Sequence, residues 1–339
     1  MRDPWESTLD RLIDDTEFSG AVRVSRRSDR LYERASGLAD RAHLVANGPD
    51  TQFAIASGVK GFTALAVMAL VVDGDLTLDT SIRTVLGDQL DLVDPAVTVG
   101  HLLTHTSGIG DYLDEDSVEA DAYVLTVPVH ELVDTSDYLA VLRGHPMQAA
   151  VGERFTYCNG GFVILALVVE AVTGTSYHDV VSQRVLEPAG MTATAFHRGD
   201  QLPGSAAIGY LDDEVGWRTN AFHLAIRGSG DGGAYSTLDD IDRFWTALLN
   251  GAILPAAVVD DMVRAHQHAP AEGLDYGLGF WLRPDRATVM LEGCDAGVSF
   301  RSAFDPASAV SYTVVSNTTD GAWPLARLLD GRLGGLALG

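Results

Sequence analysis

Lysine occurs once in this 339-residue chain, at Lys60, although arginine occurs 22 times. A chain that uses arginine wherever a cation suffices keeps a lysine where an amine has to lose its proton, which a guanidinium does not do. Cysteine is nearly as scarce. Cys158 and Cys294 are the only two, too few for a disulfide framework and in keeping with a reducing compartment. Basic residues are outnumbered 47 to 23 by acidic ones, for a formal charge of −24. That field repels phosphate backbones and anionic membrane surfaces, so nucleic acid is excluded as a partner and the acidity reads as a solubility feature. No apolar run is longer than Ala64–Val72, and the opening MRDPWESTLDRL lacks the apolar core of a signal peptide. Both argue against a membrane partner and for a cytoplasmic address. Repeats, low-complexity tracts and Pro- or Ser-rich linkers are missing too, so composition marks no domain boundary.

What is present is a composition able to bury a large core, with 46% hydrophobic and 21% charged residues, in one body of two lobes. Residues 5–15 read as an amphipathic helix, and SGAVRVSRRSDRLYERASGLAD as a hairpin of alternating strands. From Ser57 the run SGVKGFTALAVMALVVDG is helical in length and apolar nearly all round, a helix buried in the body and closed by Asp73-Gly74. Helical segments then dominate to about residue 205. Strand patterns return in AAIGYLDD, YGLGFWLR, ATVMLEG, GVSFRSAFD and AVSYTVVSN, with helices near 237–250 and 323–332. The expected fold is α/β of the α+β kind. Residues 1–75 and 206–339 form a discontinuous lobe around an antiparallel sheet, residues 76–205 an inserted helical lobe, and the site lies in the cleft between them.

The chemistry gathers at Ser57 and Lys60. In S-x-x-K on the first turn of a helix, the two side chains share a face. A serine hydroxyl is a poor nucleophile until its proton is taken, and a lysine in a dry site becomes able to take it. Tyr157-Cys158-Asn159 is the only Y-x-N in the chain and lies 100 residues after Ser57. A phenol there shuttles a proton, and the asparagine amide binds a substrate carbonyl and holds the lysine.

Four segments come in the order seen in one family: Ser57-Gly-Val-Lys60, VTVGHLLTHTSGI at 97–109, Tyr157-Cys-Asn159 and SGDGGAYST at 229–237. Over nearly the whole chain from about residue 18, the sequence resembles the class C β-lactamases in the broad sense, a group that includes penicillin-binding D-peptidases, carboxylesterases and acyltransferases. The resemblance implies the β-lactamase/transpeptidase-like fold, Ser57 as nucleophile, Lys60 as base or relay, Tyr157 as second acid/base group and Asn159 as substrate and network hydrogen-bonder. It makes His101 and His105 parts of a structural helix and turn. The absence of any G-x-S-x-G agrees, since that removes the nucleophile elbow of the α/β-hydrolases.

The departure is in the family's third motif, Lys or His, then Thr or Ser, then Gly. Here Gly293-Cys294-Asp295-Ala296-Gly297 stands in its place, with Cys294 at the cation position and Asp295 at the hydroxyl position. The usual anchor for a substrate carboxylate is missing and a negative charge is added, so β-lactams and D-Ala-D-Ala ends are held poorly. Ser57 and Gly297 are the expected oxyanion N–H donors. Arg227 and Arg301 are candidates to replace the anchor, and Tyr112 and Trp217 to wall an acyl pocket. Both cysteines read as small apolar fillers rather than metal or redox groups. The leading reading is a serine hydrolase forming an acyl-enzyme from small esters or amides, without metal or organic cofactor. The alternatives are a true β-lactamase or D-peptidase, and a non-catalytic binding module of the same fold. Oligomeric state stays open.

Overall fold

The computed structural model describes residues 4–27, 29–113, 120–213, 216–284 and 287–332. Both ends of the chain build one sheet. The expected hairpin forms strands β1 (Gly20–Arg26) and β2 (Asp29–Ser36); Ser28, between them in the sequence, lies outside the described residues. The later strands are β3 (Gln267–Ala269), β4 (Leu274–Tyr276), β5 (Trp281–Leu282), β6 (Val289–Asp295), β7 (Val298–Asp305) and β8 (Val310–Ser316). Their order is β2-β1-β8-β7-β6-β5-β4-β3, antiparallel throughout. This is a β-lactamase/transpeptidase-like fold of sheet and helices.

Strand alternation decides which helices cover which face. Val22 and Val24 of β1 with Tyr312 and Val314 of β8 pack under helices α1 (Pro4–Asp15) and α5 (Trp323–Asp330), together with Leu9, Ile13, Leu325 and Leu329. Ala21, Val315, Phe300 and Leu291 face the other way, into the larger core with helices α2 (Val59–Asp73), α3 (Asn159–Thr173) and α4 (Leu238–Asn250). Arg23 also points to that side, where Glu33, Asp239 and Asp242 neutralise it beneath α4.

Every residue of α2 from Val59 to Leu70 is buried, which is why its sequence is apolar on all sides. Residues 56–73 are long and apolar enough to cross a membrane, yet they are mostly enclosed by the rest of the chain. The helix ends at Gly74 in the left-handed conformation that glycine adopts without penalty.

Two strand expectations change. YGLGFWLR is not one strand: β4 and β5 are separated at Gly279, whose positive φ brings the backbone against α2 where a Cβ would lie 2.4 Å from that of Ala64. AAIGYLDD stays out of the main sheet, because Tyr210–Asp213 pairs with Gly216–Thr219 as a separate hairpin.

Candidate active site

Ser57 sits in a single 3-10 turn, Ala56–Gly58, that runs directly into α2. Three residues on, Lys60 is buried at 2% exposure, and its ammonium reaches three acceptors. Nζ donates to Ser57 Oγ at 2.8 Å, to Asn159 Oδ1 at 2.7 Å and to the Asp231 carbonyl oxygen at 2.9 Å. It also lies over the ring of Tyr157, 4.8 Å from the centroid, where the π face favours a cation. The structure therefore brings Ser57, Lys60, Tyr157 and Asn159 together from segments up to 102 positions apart in the chain. The array suits either state of the amine. An ammonium fills all three acceptors, and a neutral amine keeps two donors while its lone pair accepts the Ser57 hydroxyl proton.

Tyr157 is held from behind by His105. Its neighbours Thr156 and Cys158 donate their N–H groups to the His105 carbonyl oxygen at 2.8 Å and to Nδ1 at 3.1 Å. The imidazole lies 4.5 Å from the Tyr157 ring, centroid to centroid, and its Nε2 faces Tyr276 Oη at 3.2 Å. Burial, and then the nearby Lys60 charge, hold His105 well below its ordinary pKa. It remains a neutral structural ring with a structural partner on each nitrogen, and His101 caps its own short helix through Thr98.

Asn159 is held equally firmly. It opens α3, and its backbone N–H and that of Gly160 both donate to the carboxylate of Asp111, at 2.5 Å and 2.8 Å. These are the N–H groups that a helix start leaves without intrahelical partners. Asn159 Nδ2 donates to the Leu113 carbonyl at 3.0 Å, which leaves Oδ1 for Lys60. Burial, opposed by those N–H bonds and aided by the charge of Asp231, raises Asp111 from 3.8 to about 6. In the native state this carboxyl keeps a proton between about pH 4 and 6 that the unfolded chain has released, so its contribution to stability declines as pH rises through that interval. Asp111→Asn should flatten that slope, as measured by denaturant unfolding at a series of pH values. At pH 7 the variant should lose about 1–2 kcal/mol, because the two N–H groups address different carboxylate oxygens and the amide puts a donor NH2 in place of one of them.

Asp231 lies in the SGDGGAYST segment at 7% exposure. Its carboxylate accepts the Tyr112 hydroxyl at 2.5 Å while its carbonyl holds Lys60. Neither Asp111 nor Asp231 was singled out from the sequence, although both lie beside or within motifs that were. Tyr112, Asn159, Cys294 and Asp295 join Ser57 and Asp231 in lining one cleft of about 1230 Å³.

Other expected residues fall elsewhere. Gly297 turns the β6–β7 hairpin with φ +72°, and its N–H donates to Thr319 Oγ1 at 2.9 Å rather than facing Ser57. What approaches Ser57 is Gly293, where a Cβ would lie 2.6 Å from Ser57 N and 2.5 Å from the Ile55 carbonyl oxygen. Arg227 donates to the Phe196 carbonyl. Arg301 is drawn to the opposite side of the sheet by Glu292 and Asp330. Trp217 packs on Tyr210 outside the cleft. Among the described residues that line the cleft there is no arginine, so neither candidate supplies the missing anchor.

The fold and its family relationships define a serine hydrolase. The chain belongs to the β-lactamase family, whose model matches residues 5–334. It is 30% identical to the esterase EstB of Burkholderia gladioli over 81% of this chain and 77% of that one. It superposes on a penicillin-binding protein from Bacillus halodurans with a TM-score of 0.88 and 36% identity, covering 95% and 99% of the two chains. An octameric penicillin-binding protein homologue from Pyrococcus abyssi gives a TM-score of 0.84 at 25% identity, over 98% of this chain and 76% of its own.

Proposed function

We propose that Ser57 is the nucleophile of this serine hydrolase, Lys60 its base, Tyr157 the second proton-transfer group and Asn159 the residue that positions lysine and substrate, and that the substrates are small esters or amides. The observation that carries this is the Lys60 array, an amine at 2.8 Å from the serine oxygen with its other hydrogens directed by Asn159 and Asp231. Ser57 Oγ attacks the carbonyl carbon as its proton passes to Lys60. The tetrahedral intermediate then expels the alcohol or amine, which leaves with a proton relayed through Lys60 and Tyr157. Water attacks the acyl-enzyme by the reverse route and releases the acid. The Ser57 N–H, beside the end of β6, is one oxyanion donor.

Relatives named esterase and penicillin-binding protein represent two substrate types. The ester reading is favoured because Cys294 and Asp295 occupy the place of a carboxylate anchor and no arginine lining the cleft compensates, among the described residues. Two lobes, 1–75 with 206–339 and 76–205, are part of the same reading, as is a cytoplasmic location, in keeping with a chain that has only two cysteines. The test is peptide mapping after brief exposure to a fluorophosphonate and to a short p-nitrophenyl ester. An adduct on the peptide holding Ser57 is expected. An adduct on another serine, or none with either reagent, would falsify the assignment.

A further inference from the structure

The cleft is larger and more apolar than a short ester requires. Its volume, about 1230 Å³, exceeds the roughly 300–1,000 Å³ of ordinary small-molecule pockets. Leu113, Leu125, Leu224 and Ile226 form part of its wall, continuous with Ser57. At its open edge Val124 and Phe222 line the cleft while 75% and 84% exposed, so two large apolar side chains there meet water. Asp200, Asp231 and Asp295 line the cleft together with His130, His197 and His223, and no lysine or arginine is among the described lining residues. Lys60 lies behind Ser57 with three acceptors already engaged.

We infer that the substrates are uncharged esters or amides carrying a long or bulky hydrocarbon group, which lies along this wall while the scissile carbonyl sits at Ser57. The inference rests on the reading of Ser57 as nucleophile. Its physical basis is that each methylene withdrawn from water strengthens binding by up to about fourfold, while a carboxylate near two aspartates meets like charge without a compensating cation.

Two matched series test it, p-nitrophenyl alkanoates that lengthen the acyl side and alkyl acetates that lengthen the leaving side, each kept below its aggregation concentration. From the shortest to the eight-carbon member, kcat/KM should rise about tenfold or more in at least one series. A p-nitrophenyl hemisuccinate should be about tenfold poorer than the butyrate of equal chain length. Values that are flat or falling in both series overturn the inference, while short-ester turnover that disappears in Ser57→Ala would leave the functional reading standing. Should no ester be turned over and no adduct form at Ser57, that reading fails, and calorimetric binding of p-nitrophenyl octanoate against acetate still decides the inference: about tenfold tighter binding of the octanoate upholds it and equal affinity sinks it. Replacing both Val124 and Phe222 by serine should lower the octanoate-to-acetate ratio about fivefold, and an unchanged ratio would remove the open edge from the binding surface.

Discussion

Replacing Lys60 by arginine is expected to lower kcat/KM for a short p-nitrophenyl ester by about 10²–10⁴-fold, although the positive charge is kept. The site needs a group that alternates between donating to and accepting from Ser57 Oγ. A guanidinium is planar, has no accessible lone pair and stays protonated. It also cannot reproduce three donors diverging from one atom to Ser57, Asn159 and the Asp231 carbonyl. Because Lys60 is buried, arginine also adds volume to a filled space. Lys60→Met, which matches the stem and omits the amine, separates that effect from the chemistry and should show the same loss with less change in melting temperature. Rates near the native value in both variants, with the fold intact by circular dichroism, would mean that another group takes the serine proton.

The second large effect is expected from a single methyl group. In Gly293→Ala the added Cβ would lie 2.5 Å from the Ile55 carbonyl oxygen, 2.6 Å from Ser57 N and 2.9 Å from Ala56 Cβ. Two of these are backbone atoms of the turn that carries Ser57, so strand β6 and that turn must separate. A displacement of about 1 Å at a reacting atom costs on the order of 10²-fold in rate, and the overpacking costs about 1–3 kcal/mol of stability. The turnover number should fall more than binding of a slow substrate analogue weakens, because the cleft wall remains while the serine moves. Unimpaired turnover would show that β6 can give way without carrying Ser57 with it.

The parts of the site legible beforehand were those governed by short-range geometry or motif order. Ser57 and Lys60 are three residues apart at a helix start, and helical spacing alone makes them neighbours. Tyr157 and Asn159 were found because Y-x-N precedes an apolar helix in the family's order. Asp111 and Asp231 were not, because an aspartate in a Gly-rich loop looks like any turn residue until its partner is known. Their partners lie 48 and 119 residues away. Gly297 is the expected oxyanion donor beside Ser57, but the tight hairpin turn points its amide at Thr319. Arg301, a candidate for the missing anchor, is held on the far side of β7 by its pairs with Glu292 and Asp330.

The sequence by itself determined the helix that carries Ser57 and Lys60, the antiparallel sheet made from both chain ends, and the loss of a cation from the third motif. Each of these depends on residue type and local period. The tertiary structure alone decided that His105 braces Tyr157, that Asp111 secures Asn159, that Gly293 rather than Gly297 meets the backbone of Ser57, and that the cleft is broad, apolar and free of arginine among the described lining residues. These are contacts between segments distant in the chain. Strand register and helix packing set such contacts, and neither is a property of any short stretch of residues.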